Sequence, residues 1–369
     1  MPIYPLYAVM FGDYGVSPLG LAILFSAWSG IALLVEIPSG ALADRYSRKT
    51  LLVFAELIKA TAFITWLWWP SFWGFMLGFA LWGIAGAIHS GTAEALLYDA
   101  LKQHNREDEF ARIYGRGMSL NRIGVSLSMF AGGWLIAQYD YALLLQISVF
   151  MLVVASLVVM FAFYDPPRAE SVYESGYLDT LKTGLQESVR NYRVLFVILC
   201  SASLLTLPGM YDEFISPVFA ESGYSLDTIA YLYAVIFLVQ AGGMALAHKL
   251  QHFSLSAMFL LMFIAGAVLL STHAGWLAWV AIAMMIYFAI TATVEILMQN
   301  RLQQNIESDS RATVTSTSGV AQGSSSIGFY MVFGVVAAQY DLAAGTIAVA
   351  LGTLGFVAVF VVLARVWRV

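Results

Sequence analysis

Apolar runs long enough to cross a bilayer alternate with short polar segments along the chain. A helix needs about 20 apolar residues to cross about 30 Å of hydrocarbon. Breaks at charged residues, Pro and Gly give one short segment followed by eleven longer ones. We therefore predict an all-α membrane protein. Its twelve predicted spans are Leu6–Tyr14, Ser17–Ala41, Thr50–Trp69, Ser71–Leu97, Gly117–Ala137, Tyr141–Phe163, Val194–Ala220, Leu226–Ala247, Phe253–Thr272, Trp276–Met298, Thr313–Ala338 and Leu342–Ala364.

The composition agrees with a chain whose main solvent is lipid. Of the 369 residues, 60% are hydrophobic and only 11% are charged, whereas a soluble domain needs a larger charged share to cover its surface. The sequence has no nucleotide-binding motif, no cluster of His or Cys ligands and no Ser/His nucleophile pattern. We therefore expect no cofactor, no metal, no nucleic-acid partner and no enzymatic activity.

Basic residues fall on one side of the predicted topology. Of the 18 Lys and Arg residues, all except Lys59 and Arg122, which lie within spans, occur in segments on the side of the C-terminus and of the linker between the two halves. The opposite loops contain Asp and Glu but neither Lys nor Arg. Because cytoplasmic loops carry the excess of Lys and Arg, we predict a multi-pass protein of the bacterial inner membrane with a cytoplasmic C-terminus.

The chain also contains an internal repeat. TAEALLYDALKQ, which begins at Thr92, aligns with TVEILMQNRLQQ, which begins at Thr293, and AQYD at 137–140 recurs at 338–341 in the same register. The offset is about half of the chain, so we predict a parallel duplication of two six-helix bundles related by a pseudo-two-fold axis along the membrane normal. The predicted domains are an N-terminal bundle at 1–163, a cytoplasmic linker at 164–193 and a C-terminal bundle at 194–369.

The first span departs from this repeat. FGDYGVS at 11–17 aligns with FAESGYS at 219–225, and extension of that alignment leaves the first span about half as long as the seventh. At about 1.5 Å per residue, the first helix is shorter than the hydrocarbon thickness. We expect a truncated first helix, which reflects either a late start of this chain or a true truncation.

The stretch GALADRYSRK, residues 40–49, resembles the signature that follows the second helix in the major facilitator superfamily. That signature is Gly, four residues, Asp-Arg, any residue, Gly, Arg and then Arg or Lys. The matching residues are Gly40, Asp44, Arg45, Arg48 and Lys49, whereas Ser47 replaces the second Gly. The flanking stretches look like a bacterial subgroup of the superfamily. The resemblance covers the whole chain and implies the fold of that superfamily and secondary transport.

These residues are candidates for a cytoplasmic gate. Gly40 permits close approach of another helix, and Asp44 can face the positive N-terminus of a neighbouring helix. The resemblance implies that this neighbour is the helix beginning near Thr313. Arg45 and Arg48 can bind acidic groups across the gap between the halves, in contacts that break when the transporter opens inward. The alternative is that the motif only sets topology and the geometry of a short loop.

Asp212 and Glu213 lie within the seventh span, about 12 Å from its outer end. Pro208 and Pro217 flank them, which predicts a kinked or broken helix. Since ionisable residues within spans often mark an ion pathway, we predict that one of these carboxyl groups couples transport to H⁺ or another cation. The alternative is a structural pair at the outer mouth, bound to backbone or water.

Further charged residues within the spans are candidates for intramembrane ion pairs. Glu56 and Lys59, three residues apart on one helix, can pair with each other, and Glu94 can pair with Arg122 between the fourth and fifth spans. Structural and gating roles are both open. The full set is Glu36, Glu56, Lys59, Glu94, Arg122 and Glu295.

Aromatic residues within the spans are candidates either for the lining of a cavity or for core packing. An aromatic, sparsely charged interior suits a small amphipathic or apolar solute. The candidate lining residues are Trp28, Trp82, Tyr211, Tyr231, Tyr233 and Tyr287.

We predict a monomeric secondary active transporter that moves a small solute by alternating access, with H⁺ as the expected coupling ion. Drug-exporting antiporters of the superfamily tend to carry Gly-Pro before two glycines in span five. Here SLSMFAGG keeps Gly132 and Gly133 but lacks Gly-Pro, so drug/H⁺ efflux is the alternative. A non-transporting membrane sensor or assembly partner is the alternative from another class. The solute and the direction of transport stay open.

Overall fold

A computed structural model describes residues 1–90, 92–106, 109–163, 191–305 and 311–367, and the regular structure of these residues is helical. Ten of the helical segments in this part of the chain are long and apolar enough to cross a membrane. The α-helices are α1 (Tyr7–Asp13), α2 (Pro18–Arg45), α3 (Arg48–Trp68), α4 (Phe72–His89), α5 (Thr92–Gln103), α6 (Phe110–Ile136), α7 (Tyr141–Ala162), α8 (Tyr192–Cys200), α9 (Thr206–Asp212), α10 (Ile215–Glu221), α11 (Leu226–Leu246), α12 (Leu255–Leu270), α13 (Leu277–Asn305), α14 (Arg311–Gln339) and α15 (Leu342–Trp367).

The fourth predicted span is wrong in one respect. We predicted one helix over Ser71–Leu97, whereas the structure has α4 and α5 with a break after His89. Ser90 has an extended backbone, with ψ of 129°. The hydroxyl of Ser39 in α2 lies 3.0 Å from the Ala87 carbonyl oxygen and so satisfies an acceptor in the last turn of α4.

The chain divides into two compact units, and the boundary falls outside the described residues, within 164–190. The first unit contains α1 to α7, and the second contains the helices from α8 onward, except that the first turn of α11 groups with the first unit. Each unit has its own aromatic core. In the first, the Tyr7 ring lies 5.8 Å from Trp66 and 5.9 Å from Trp82. In the second, Phe214 stacks on Phe333 at 4.0 Å.

The repeated segment AQYD caps the start of a helix in both units. Its last residue precedes α7 in the first unit and α15 in the second. Asp140 Oδ1 accepts a hydrogen bond from the Leu143 N–H at 3.1 Å, and Asp341 Oδ1 accepts one from the Ala344 N–H at 2.6 Å. These carboxylates satisfy free amides in the first helical turn and stabilise the helix start.

The aligned segments FGDYGVS and FAESGYS also share a backbone conformation. Gly15 and Gly223 have φ of 85° and 96°, a left-handed conformation that glycine adopts at little cost. In each case the amide after the glycine bonds to the carbonyl five residues earlier, at 3.0 Å in the first unit and 3.1 Å in the second. The same helix-ending motif therefore closes α1 and α10.

The aligned acidic residues of these segments join equivalent helices. Asp13 Oδ2 accepts a hydrogen bond from the Tyr141 hydroxyl at 2.7 Å, which links α1 to the start of α7. Glu221 Oε1 accepts one from the Leu342 N–H at 3.0 Å, which links α10 to the start of α15. Contacts within each unit thus repeat as the sequence duplication predicts.

Candidate functional site

The seventh predicted span consists of short helical segments. α8 continues through a π-helical turn, Ser201–Leu205, into α9, and a turn after Asp212 separates α9 from α10. A proline has no N–H for the carbonyl four residues earlier. Pro208 therefore leaves the carbonyl of Leu204, in the π-helical turn, without its usual helical donor. Pro217 does the same for the carbonyl of Glu213. The predicted interruption is confirmed, and the acidic pair lies at it.

Glu213 is a buried carboxyl group. Its side chain is 7% exposed, and Oε2 is buried with no hydrogen-bond partner among the described residues. Tyr330 of α14, 4% exposed, lies within range of electrostatic interaction with the carboxyl groups of both Glu213 and Asp212. Tyr330 is absent from the predicted site, because the sequence marks it only as one more aromatic residue in span eleven.

Asp212 has different surroundings. The Tyr233 hydroxyl in α11 lies 3.0 Å from Asp212 Oδ2 and 2.9 Å from the Asp212 carbonyl oxygen. This contact fixes the end of α9 against the eighth span. Each of the two adjacent carboxyl groups has one buried oxygen without a hydrogen-bond partner in the described part of the chain, Oδ1 of Asp212 and Oε2 of Glu213. They differ in that the other oxygen of Asp212 contacts Tyr233 and that Glu213 is the more deeply buried residue.

Most of the predicted cavity-lining aromatics pack in the cores of the two units. Tyr211 and Tyr287 are fully buried, and the Tyr211 hydroxyl lies 2.9 Å from Thr346 Oγ1. Trp28 packs on Trp82 with ring centroids 5.6 Å apart. Tyr231, by contrast, is only half-buried.

The first unit contains a cavity of about 510 Å³ between α3, α4, α6 and α7. Trp82 is the predicted aromatic residue that lines it. Polar and charged side chains from α3, α4 and α6 share the lining with apolar residues. Lining residues include Met1, Glu56, Lys59, Trp82, His89 and Asn121.

Lys59 and Glu56 do not form the predicted ion pair. The described residues contain no ion pair between these two side chains, although Glu56 still exerts an electrostatic effect on Lys59. The structure places Lys59 Nζ 4.5 Å from the centroid of the Trp82 ring, a favourable cation–π distance. Lys59 therefore contacts the ring of Trp82 on α4, and not Glu56, the partner that helix spacing predicts.

The remaining charged candidates stay predictions. The Glu94 side chain lies outside the described part, so its pairing with Arg122 is not tested. Glu36 is half-buried, and Gln299 donates a hydrogen bond to Glu295 Oε1 at 3.3 Å. Among the described residues, no group of three or more His, Cys, Asp or Glu side chains could hold a metal ion.

For the predicted gate motif, the structure gives the backbone but not every side chain. Asp44 and Arg45 end α2, and Arg48 and Lys49 begin α3. The described part does not include the surroundings of Gly40 or the side chains of Asp44 and Arg45. It also leaves out the side chains near Thr313, at the start of α14. The contact between Asp44 and that helix stays a prediction.

Ser47 occupies the position of the second glycine in the signature. Its φ of −52° is accessible to any residue, so glycine is not required here. Its Oγ accepts a hydrogen bond from the Thr50 N–H at 3.1 Å. Serine is favoured at this position because it caps α3.

Sequence comparisons give the family and distant relatives. The model of the Major Facilitator Superfamily matches residues 1–330. The Na(+), Li(+), K(+)/H(+) antiporter of Planococcus maritimus is 24% identical over 243 residues, which cover 62% of this chain and 55% of the antiporter. Multidrug resistance protein MdtH of Yersinia pestis (strain Pestoides F) is 24% identical over 240 residues, which cover 63% and 56%. The chain thus spans about half the length of these curated relatives.

Solved structures share the fold across nearly the whole chain. Nucleoside transporter NupG superposes with a TM-score of 0.71 at 15% identity and covers 99% of this chain and 93% of its own. A bacterial homologue of the human lysosomal transporter Spinster, inward-facing and occupied, gives a TM-score of 0.77 at 15% identity, with 99% and 92% covered. The predicted fold class is therefore confirmed.

Proposed function

We propose, for a chain that belongs to the major facilitator superfamily, that it is a secondary active transporter, not an enzyme, and moves a small solute by alternating access coupled to H⁺. In that architecture two bundles alternately open a central site to either side of the membrane. The observation that carries the proposal is the buried carboxyl group of Glu213 beside a helix break.

Glu213 has the surroundings that a proton carrier needs. A charged carboxylate without a partner is costly in a non-aqueous interior, whereas a neutral carboxyl group costs much less. A conformation that admits water reverses this preference, so uptake and release of a proton become linked to the conformational change. The break after Asp212 provides a place where the segment can bend.

We assign Asp212 a positioning role. Its contact with Tyr233 joins the break to the eighth span, so movement of the segment is transmitted to that helix. A substitution that keeps the hydrogen bond to Tyr233 should therefore keep coupling, even where it lowers stability.

The cavity in the first unit is our candidate for solute contact. Trp82 offers an apolar ring, while Lys59 and Glu56 offer one charge of each sign. Such a lining suits a small amphipathic solute better than a polyanion.

Two more specific functions come from the relatives. The names of these relatives describe an alkali-cation/H⁺ antiporter and a multidrug resistance protein. Both activities are candidates for this chain, and drug/H⁺ efflux is the second choice because span five lacks Gly-Pro. Antiport also fits a buried carboxyl group that binds either H⁺ or a cation.

The other parts of the proposal concern the gate and the topology. Asp44, Arg45, Arg48 and Lys49 would form contacts that close the cytoplasmic side. The protein would act as a monomer in the bacterial inner membrane, with bundles at 1–163 and 194–369, a linker at 164–193 and a cytoplasmic C-terminus.

Transport is tested with purified protein in liposomes that contain a pH-sensitive dye and hold an imposed pH gradient. Na⁺, Li⁺, K⁺, the lipophilic cation ethidium and uridine are added in turn. We expect at least one of them to dissipate the gradient faster than in protein-free liposomes. Rates equal to those of protein-free liposomes for every solute would contradict the proposal and favour a non-transporting sensor or assembly partner.

A further inference from the structure

A groove of about 500 Å³ lies between α12 and α15 in the second unit. The two helices approach closely at Gly266, where a Cβ atom would lie 3.0 Å from Leu354 and 3.3 Å from the Ala350 carbonyl oxygen. The groove lies nearer the start of α12 and the end of α15, between Leu255 and Arg365. Over about eight residues of helix it runs roughly 12 Å along the bilayer normal.

The wall of the groove is apolar along nearly its whole length. Phe259 and Val357 form its floor and are 3% and 5% exposed. Leu260 and Phe263 flank it and are 59% and 51% exposed. Exposed aromatic and aliphatic side chains on a membrane span complement the hydrocarbon of lipid tails, so the chemistry of this part of the groove matches an acyl chain.

One end of the groove carries a cation. Among the described residues that line it, Arg365 is the only charged one, and it lies exposed in the last turn of α15. No carboxylate in the described part of the chain pairs with it. The hydroxyl of Ser256, also exposed, lines the same groove. A guanidinium group with free donors matches the geometry of a phosphate.

We propose that this groove is a binding site for an anionic phospholipid. The acyl chains lie against Phe259, Leu260 and Phe263, and Arg365 binds the phosphate of the headgroup. The occupant follows from charge and position together. An apolar surface that ends in a cation, for which the described residues offer no carboxylate partner, complements a molecule with hydrocarbon chains and a terminal anion. The site is independent of the coupling carboxyl group and of the solute cavity.

Lipid binding is tested with the full chain in mild detergent. Native mass spectrometry and thermal unfolding are followed during titration with dioleoyl-phosphatidylglycerol, which is anionic, and dioleoyl-phosphatidylcholine, which is zwitterionic. The variants are Arg365→Gln, Arg365→Lys and the matched control Arg193→Gln, which removes another exposed arginine of the same unit that does not line the groove. Ala364→Trp fills the groove and tests the acyl-chain part.

We expect wild type to prefer phosphatidylglycerol and Arg365→Gln to bind it about tenfold more weakly, because one charge-assisted contact is lost. Arg365→Lys should lie between them, Arg193→Gln should match wild type, and Ala364→Trp should weaken both lipids. Unchanged preference in Arg365→Gln, an equal loss in Arg193→Gln, or an equal rise in unfolding temperature with inorganic phosphate alone would overturn the proposal.

Discussion

At the scale of residues, Asp212 and Glu213 show how two adjacent carboxyl groups acquire different roles. Adjacent positions on a helix point about 100° apart, and here a break increases the difference in surroundings. Both keep one buried oxygen without a hydrogen-bond partner among the described residues, but the Tyr233 hydroxyl contacts the other oxygen of Asp212, and Glu213 is the more deeply buried of the two. Proton binding to Glu213 can therefore change while the contact that holds Asp212 persists.

The contact with Tyr233 predicts a measurable loss of stability. Tyr233→Phe removes a hydroxyl 3.0 Å from Asp212 Oδ2, and we expect a loss of about 1 kcal/mol, since hydrogen bonds within membrane proteins contribute about that much or less. Thermal unfolding in detergent measures it, with Tyr340→Phe, 76% exposed, as the control. Equal unfolding temperatures for the two variants would contradict the role of Tyr233.

The sequence placed both carboxyl groups inside a broken span but could not distinguish them. The distinction depends on depth of burial and on the contact with Tyr233, which comes from another span. Lys59 illustrates the same limit: helix spacing predicts Glu56 as its partner, but the ring of Trp82, from the next span, takes that place. Contacts between helices decide such partners, and a local spacing rule does not include them.

At the scale of elements, the sequence predicts where helices begin and end better than it predicts which side chains contact each other between helices. Asp140, Asp341 and Ser47 cap helices through hydrogen bonds within three residues, so the sequence signal is local. Pro208 and Pro217 likewise predicted the interruption of the seventh span. The break after His89 was missed because the sequence marks it only by a short polar interruption at 90–92 between two helical stretches, and the Ser39 hydroxyl that contacts the end of α4 comes from another helix.

A glycine in the left-handed conformation and a glycine inside a helix should respond oppositely to replacement by alanine. Gly223→Ala places a Cβ on a residue with φ of 96° and should destabilise by about 1 kcal/mol. Gly209→Ala lies inside α9, where a Cβ would have no atom within 4 Å, and should be neutral or stabilise by up to about 1 kcal/mol. Unfolding free energies of the two variants measure this difference, and equal destabilisation would be inconsistent with it.

At the scale of the whole molecule, the duplication and the distribution of charge support a single topology. Equivalent acidic residues, caps and left-handed glycines recur in both units, so each half is built by the same local rules. Apart from Lys59 and Arg122, which lie within predicted spans, every Lys and Arg lies on one predicted side. The sequence could predict this arrangement because it depends on helix number and not on contacts between particular side chains.

Single cysteines test the topology in intact cells with an impermeant maleimide. Lys102→Cys lies on the predicted cytoplasmic side and Tyr340→Cys on the opposite side, and both positions are exposed. Cys200 is fully buried and should not react. We expect labelling of Tyr340→Cys directly and of Lys102→Cys only after permeabilisation; labelling of both in intact cells would refute the topology.

Coupling of transport to H⁺ through Glu213 is tested most directly by proton movement and solute flux in the same liposomes. With a solute that wild type transports, Glu213→Gln should retain exchange down the solute gradient but lose movement driven by the pH gradient. Asp212→Asn should keep the wild-type ratio of protons to solute. Full gradient-driven transport by Glu213→Gln would contradict the account.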